Sequence, residues 1–153
     1  MLRLDRIAVP IWHVKKSLAF YRDFLGLALV DAYDGDDWGG HAWLMMVFGL
    51  SDQRELALVY IKGAKKPPAS KLPKDARHVA LAETGALDRW RVKLTKAKIA
   101  HWEEEHGDRR SIFFEDPNGN VLQLISPPST AALEENAEEF AFLLTQTEAK
   151  IIS

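Results

Sequence analysis

Apolar residues divide the first sixty positions into a strand, a helix and three further strands. Residues 4–11 (LDRIAVPI) are rich in short and branched apolar side chains, which predicts a strand. In residues 15–25 the apolar side chains recur at helical spacing, and Gly26 is a good helix terminator. Alternation and turn residues then predict three strands, at residues 27–33, 41–48 and 55–61. Residues 34–40 (DGDDWGG) are predicted to form a loop between the first two of them.

The same order of elements returns after a segment rich in Lys and Pro, residues 62–75, which is predicted to be a linker or surface loop. The second set comprises a strand, a helix and three strands at residues 77–82, 86–98, 99–102, 110–115 and 120–126. The letters repeat weakly too, with RIAV at 6–9 against HVAL at 78–81. We therefore predict an α+β fold of two βαβββ modules, residues 1–61 and 76–127.

The final hairpin of the second module carries the most distinctive letters of the chain, FFEDPNGNVLQLISPP at 113–128. Pro117 presets the φ angle of a tight turn, and Gly119 tolerates the positive φ that closes it. In the strand that follows, Gln123 is a polar amide among Val, Leu and Ile. Such a residue suggests a polar contact, and Gln123 is therefore a candidate site residue.

The remainder, residues 128–153, is predicted to form a C-terminal helix that begins near Ser129 or Thr130. Apolar residues recur there at helical spacing, and four glutamates cover the other side. Docking of this helix on its own domain is the favoured interpretation, and docking on a partner subunit is the second.

Composition narrows the functional classes. Of 153 residues, 47% are apolar and 27% charged, and the net charge is −2, which does not indicate a nucleic-acid partner. The absence of cysteine excludes disulfides, thiolate metal ligands and cysteine nucleophiles. No apolar run approaches a membrane span, and the N-terminus does not resemble a signal peptide, so we expect a cytoplasmic protein without a membrane partner.

Three stretches together resemble one family: RIAVPIWHVKKSLAFYRDFLGL, RHVALAE and FFEDPNGNVLQLISP. They are similar to the vicinal oxygen chelate superfamily, which includes glyoxalase I, extradiol dioxygenases, fosfomycin-resistance enzymes and bleomycin-binding proteins. The resemblance covers residues 4 to about 127. It implies that the two βαβββ modules form a curved mixed sheet around a cavity, commonly in a homodimer. In the family's enzymes it also implies a divalent metal inside that cavity.

The resemblance also implies four metal-ligand positions, on the first and last strands of each module. They correspond here to Arg6, a residue near Leu58, His78 and Gln123. Strand alternation agrees with this correspondence, because Arg6, His78 and Gln123 each alternate with apolar neighbours. Leu58 offers no lone pair, and the guanidinium of Arg6 brings a positive charge where a cation would lie. We therefore predict no metal or other cofactor, and any divalent metal that did bind would use His78 and Gln123.

These residues lead to three hypotheses. The first is a glyoxalase- or bleomycin-resistance-like protein that binds a small anionic or aromatic molecule in the cavity. Its ligand-binding candidates are Arg6, His78, Gln123, His41 and Trp43. The second is an enzyme of the same superfamily: a metal-dependent lyase of the glyoxalase I kind or a dioxygenase, or a metal-free isomerase or lyase using His78, Gln123 and Arg6. The third is a homodimeric interaction protein with a vestigial cavity.

Plainer roles compete with the functional ones. For Arg6 the alternative is a side chain that reaches solvent or pairs with an acid such as Asp5 or Glu115. For Gln123 it is a hydrogen bond to Arg6. His78 has the alternative of a cavity histidine without a chemical role. Two further histidines flank three glutamates at 101–106 (HWEEEH), where a solvated edge strand is favoured over a metal cluster.

Overall fold

The computed structural model describes residues 1–128 and 137–152. Its first module contains one helix and four strands. The helix α1 spans Val14–Leu18 and continues as a π-helical segment, Ala19–Phe24. The strands are β1 (Arg6–Pro10), β2 (Ala28–Trp38), β3 (His41–Gly49) and β4 (Glu55–Ile61).

The second module repeats this order after a short 3₁₀ turn at Lys74–Ala76. Its elements are β5 (His78–Ala82), α2 (Asp88–Lys96), β6 (His101–His106), β7 (Arg109–Glu115) and β8 (Val121–Ser126). A C-terminal helix, α3, spans Ala137–Ile152. The predicted start of that helix, near Ser129 or Thr130, lies outside the described residues.

Each module forms its own four-stranded mixed sheet. The first sheet has the order β1-β4-β3-β2 and the second has the order β5-β8-β7-β6. In both, the first strand pairs in parallel with the last, and the other pairs are antiparallel. The α+β class and the two βαβββ modules are thus confirmed. Each sheet stays open, so that neither closes into a barrel on its own.

Strand β2 is longer than predicted and includes most of the segment DGDDWGG that was predicted to be a loop. Gly35 lies opposite Trp43 in the β2–β3 ladder, and a Cβ atom there would come within 2.5 Å of the Trp43 indole nitrogen. The glycine in this strand therefore makes room for an indole ring rather than marking a turn. The actual turn is at Gly39 and Gly40, which both have positive φ.

Strand β6 also exceeds its prediction, because HWEEEH at 101–106 is a regular edge strand paired with β7. The prediction that these residues form a solvated edge is confirmed. Its charges are matched locally, since Glu103 accepts hydrogen bonds from Arg91 of α2 and lies 3.8 Å from Arg110 of β7.

One hydrophobic core serves both modules. Phe20 and Tyr21 from the helical segment of the first module pack on Phe48 of its own sheet and on Phe114 of the other sheet. Tyr21, Phe48 and Phe114 are all completely buried. The two modules therefore share apolar side chains across the boundary between them, which we call the seam.

At one end of the seam, the β7–β8 turn holds the first module through polar side chains, which we call the latch. Asn118 accepts hydrogen bonds from the backbone N–H groups of Trp12 and His13, and its amide donates to Ser17. The Tyr21 hydroxyl donates to Asp116 over 2.8 Å. Asp116 and Asn118 are at most 5% exposed, so these polar groups are buried and satisfied by each other.

Helix α3 does not dock on its own domain, which contradicts the favoured prediction. Each of its described side chains is exposed, including the apolar residues Phe140, Leu144 and Ile151. Among the described residues, no helix combines the length and apolar character needed to cross a membrane.

Candidate functional site

Each sheet has one face that packs on the core and one that is open. In β1 the side chains of Ile7 and Val9 pack against the core, whereas Arg6 and Ala8 are exposed. In β5, Val79 is buried in the core and His78 is exposed. The strand alternation predicted for these residues is therefore confirmed. We refer below to the open face of the first sheet and the open face of the second sheet.

On the open face of the first sheet, Arg6 is paired with Glu55. Its Nη2 lies 2.6 Å and its Nε 2.8 Å from Glu55 Oε2, and the two residues are register partners in the β1–β4 ladder. The hydrogen bond from Arg6 to Glu55 raises the pKa of the guanidinium above its ordinary value. Arg6 thus pairs with an acid, as its plainer alternative predicts, but the acid is Glu55 and not Asp5 or Glu115. The positive charge of Arg6 is therefore already compensated.

The same face also carries an exposed acidic group, Asp31. It accepts hydrogen bonds from the Tyr33 hydroxyl and from the Ala32 N–H, and these bonds lower the pKa of Asp31. The hydrogen bond to Asp31 raises the pKa of Tyr33. With Asp31 and Glu55 against Arg6, this part of the face carries a net negative charge.

His41 and Trp43 lie on the first sheet as predicted, in β3. The Trp43 ring meets the Trp38 ring edge-on, with centroids 5.3 Å apart. Trp43 is partly buried and His41 is exposed. These rings thus lie at the end of the sheet where β2 turns into β3.

On the open face of the second sheet, His78 is oriented by the backbone. Its Nδ1 lies 2.7 Å from the carbonyl oxygen of Asp75. A carbonyl only accepts, so Nδ1 carries the proton, and Nε2 of the neutral ring has a lone pair for another partner. The imidazole also meets the ring of Phe113 edge-on at 5.7 Å between centroids.

Gln123 lies on the same face of the sheet as this histidine and bonds across the strands. It pairs with Ala80 of β5 and Phe113 of β7 in the ladder, and its Nε2 donates to Ser111 Oγ over 2.7 Å. The alternative role of Gln123, a hydrogen bond to Arg6, is therefore wrong. The amide nitrogen thus donates to Ser111, and the carbonyl oxygen of Gln123 is a hydrogen-bond acceptor.

An aromatic stack, which the sequence did not reveal, completes this face. The rings of Trp102 and Phe113 are 5.5 Å apart at an angle of 8°, because the two residues are register partners in the β6–β7 ladder. Trp102 is partly exposed and Phe113 is buried. We call Trp102, Phe113, His78 and Gln123 the aromatic platform. The predicted strands already contained Trp102 and Phe113, but only the register of β6 against β7 shows that the two rings are cross-strand partners.

The fourth family position falls on Ala57, not on the Leu58 used in the sequence comparison. In the second sheet Ala80 pairs with Gln123, and in the first sheet the corresponding Ala8 pairs with Ala57. Leu58 faces the opposite way and is fully buried in the core. The correction arises because a shift of one residue reverses the face of a strand.

Within residues 1–128 and 137–152, no group of three or more His, Cys, Asp or Glu side chains is arranged to hold a metal ion. His101 and His106 of the HWEEEH strand have local partners instead, the carbonyl of Ile99 and the carboxylate of Glu104. At the four family positions, only His78 and Gln123 have lone pairs to offer.

A separate cavity lies at the other end of the seam from the latch. It measures about 920 Å³, and we call it the seam groove. Both modules contribute apolar side chains to its wall, including Ile7, Leu25, Val79 and Leu81, together with residues 49–52 of the β3–β4 turn. At its rim, Glu83 accepts hydrogen bonds from Arg89, Trp90 and the Gly85 N–H. Burial alone would raise the pKa of Glu83, but these bonds outweigh it and lower the pKa to about 2.

Two open mixed sheets of βαβββ topology around a shared core define the class of fold. Residues 3–124 match the family model described as Glyoxalase/Bleomycin resistance protein/Dioxygenase superfamily, and the chain belongs to this superfamily. No curated protein sequence matches the chain significantly.

Solved structures agree with this fold at low sequence identity. A glyoxylase/bleomycin resistance protein/dioxygenase domain from Frankia sp. is 15% identical, with a TM-score of 0.67 over 82% of this chain and 97% of that one. A fosfomycin resistance protein from Listeria monocytogenes, solved with Mn(II) and a dihydroxypropylphosphonic acid, is 15% identical, with a TM-score of 0.62 over 84% and 94%. Glyoxalase I from Leishmania major is 16% identical, with a TM-score of 0.62 over 98% and 99%.

Proposed function

We propose that this protein binds a small aromatic molecule, bearing a hydroxyl or N–H group, on the aromatic platform and without a metal ion. The observation that carries the proposal is the stack of Trp102 on Phe113 beside two acceptors, His78 Nε2 and the Gln123 carbonyl oxygen, to which no described residue donates a hydrogen bond. A planar ring is suited to stacking on such a surface. A hydroxyl or N–H on that ring would donate to the two acceptors.

The residues at the family's metal positions do not fit a divalent ion. His78 and Gln123 supply a ring nitrogen and a neutral amide oxygen, whereas Ala57 supplies no donor atom. Arg6 supplies a guanidinium, whose nitrogen atoms only donate. Two neutral donors fall short of the three protein ligands that catalytic zinc sites use. For this reason the proposed binding mode relies on stacking and hydrogen bonds alone.

An aromatic ligand is favoured over an anionic one because of the pair formed by Arg6 and Glu55. Arg6 was the residue expected to attract a carboxylate, but Glu55 already holds its guanidinium at 2.6 Å. Asp31 adds a further negative charge to the open face of the first sheet, where it would repel an anion. The anionic alternative would require Glu55 to give up Arg6.

We further propose that a second copy of the chain covers the open faces in a homodimer. Neither four-stranded sheet encloses a cavity alone, and β2 exposes Tyr33 and Trp38 at 46% and 44%. Contiguous exposed apolar side chains are typical of protein interfaces. In such a dimer Arg6, His41 and Trp43 of the first sheet would contact ligand held by the other protomer's platform.

An enzymatic role is the second candidate, and the orientation of His78 favours it. An imidazole whose Nδ1 is held by a carbonyl presents Nε2 as an acceptor, which is the arrangement that a general base needs. Metal-free proton transfer on a bound hydroxyaromatic or carbonyl compound would follow. Turnover that is lost in His78→Ala while binding persists would distinguish this candidate from binding alone.

The binding proposal is tested with three aromatic probes: catechol, indole and benzoate. Thermal shift and tryptophan fluorescence would be measured for the wild type and for His78→Ala and Gln123→Ala, with His106→Ala as the matched control, since His106 is exposed on β6 away from the platform. We expect catechol or indole to bind, and each platform variant to weaken binding about tenfold, the loss of one hydrogen bond.

The control variant is expected to bind like the wild type. Preference for benzoate, abolished by Arg6→Ala, would restore the anionic alternative. Equal behaviour of all variants would refute the platform as the site.

A further inference from the structure

Within residues 1–128 and 137–152, the apolar side of α3 has no partner. Phe140, Leu144 and Ile151 recur at helical spacing and therefore share one side of the helix, with exposures of 48%, 69% and 78%. A helix of 16 residues is marginal on its own in water and is normally stabilised by burying such a stripe.

The seam groove, whose wall is mostly apolar, is also uncovered. Its volume of about 920 Å³ exceeds what a few water molecules would fill, and Leu4 and Val30 on its wall are each 54% exposed. The exposed stripe of α3 and the seam groove could therefore bury each other's apolar side chains.

The route of the chain connects these two surfaces. Pro128 lines the groove, and it is also the last described residue before the segment that leads to α3. From Pro128 to Ala137 the extended chain spans about 30 Å, and α3 adds about 24 Å. The helix thus starts within reach both of its own groove and of the groove on an adjacent protomer.

We propose that the apolar stripe of α3 docks into the seam groove of a second copy of the chain, so that two copies exchange their C-terminal helices. Within its own chain α3 leaves every described side chain exposed although the groove lies within reach. A reciprocal exchange covers two stripes and two grooves in one closed two-fold assembly. This inference rests on the homodimer proposed above and specifies which segment holds the copies together.

Cysteine cross-linking tests the exchange directly, because the chain has no cysteine of its own. A chain with Leu144→Cys would be mixed with a mass-tagged chain carrying Val30→Cys in a glutathione redox buffer. Exchange predicts a disulfide-linked heterodimer. Two controls should link far less: Phe142→Cys, on the other side of α3, and Leu29→Cys, which neighbours Val30 but does not line the groove.

A second measurement covers the case in which the cysteine pair is poorly aligned. Sedimentation velocity of Leu144→Asp and Val30→Asp should show a dimer dissociation constant at least tenfold above that of the wild type, with Phe142→Asp and Leu29→Asp close to the wild type. All four positions are at least 40% exposed, so that folding should be preserved.

Three results would overturn the exchange. A disulfide formed within one chain of the Val30→Cys, Leu144→Cys double variant, with no heterodimer in the mixture, would mean that α3 covers its own groove. A dimer that none of the variants weakens would leave the homodimer standing and refute the exchange. A chain that sediments as a monomer at all concentrations would refute both.

Discussion

The two ends of the seam between the modules are closed by different means. At the latch, Asn118 and Asp116 tie the β7–β8 turn to the first module through buried hydrogen bonds. At the seam groove, the corresponding β3–β4 turn, residues 49–54, lines an open cavity, and Asp52 pairs with Arg54 of the same turn. Two repeated modules therefore meet with one end fixed by polar side chains and the other end lined by apolar ones.

This difference follows from the amino-acid sequences of the two turns. In the turn DPNG, the Asn118 amide accepts from backbone N–H groups of the neighbouring module, and the Asp116 carboxylate accepts from its Tyr21 hydroxyl. The turn GLSDQR has its carboxylate at Asp52, where it accepts from the N–H and side chain of Arg54 instead. The two modules thus have the same strand order, but only the β7–β8 hairpin joins one module to the other through the latch.

Substituting Asn118 should have the largest effect on this comparison. Asn118→Ala leaves the N–H groups of Trp12 and His13 and the Ser17 hydroxyl without their buried partner. We expect a loss of about 3–5 kcal/mol in the free energy of unfolding, since each unsatisfied buried group costs about 1–3 kcal/mol. Urea unfolding measures it, with Asp52→Ala at the other turn as the control.

The control should change the free energy of unfolding by less than about 0.5 kcal/mol, because Asp52 is exposed. Equal losses for the two turns would show that the latch and the groove end contribute alike, contrary to the comparison.

A smaller loss is expected when only the Tyr21 hydroxyl is removed. Burial raises the pKa of Tyr21, and the negative charge of Asp116 raises it further. The hydroxyl therefore stays protonated and donates. Tyr21→Phe should lower the free energy of unfolding by about 1.5 kcal/mol. Tyr33→Phe is the matched control, since it breaks an exposed tyrosine–aspartate bond. Thermal unfolding in which both variants shift equally would argue against a special role for the buried bond.

The groove end should contribute a pH-dependent term through Glu83. Its pKa is about 2 in the folded chain, below the ordinary value of 4.5. A lowered folded-state pKa gives stability that is present above pH 4.5 and lost as the pH falls towards 2. Glu83→Gln should therefore unfold more easily than the wild type at pH 7, by about 1 kcal/mol, and like it near pH 2. A pH-independent difference would contradict this.

The sequence was sufficient to predict the two modules, because the spacing of apolar residues that indicates a strand or a helix is a local property of the chain. It was insufficient for contacts between residues far apart in the chain. The DPNG turn was predicted, but its role as a latch depends on Trp12 and Ser17, about a hundred positions away. The glycine in β2 was read as a loop signal because only the ladder shows that the Trp43 ring covers it.

The candidate site was predicted with similar limits. Alternation placed Arg6, His78 and Gln123 on open faces, which the structure confirms, but it did not supply their partners Glu55, Asp75 and Ser111. The correction from Leu58 to Ala57 shows a related limit. Successive side chains of a strand face opposite ways, so an error of one residue selects a side chain in the core.

The central claim is that the aromatic platform binds without a metal ion. Titration of metal-stripped protein with Mn²⁺, Ni²⁺ and Zn²⁺ by calorimetry, alongside His78→Ala, Gln123→Ala and His106→Ala, tests it most directly. We predict no stoichiometric binding that depends on His78 or Gln123. One ion per chain, bound by the wild type and the His106→Ala variant but lost in the other two, would contradict the account.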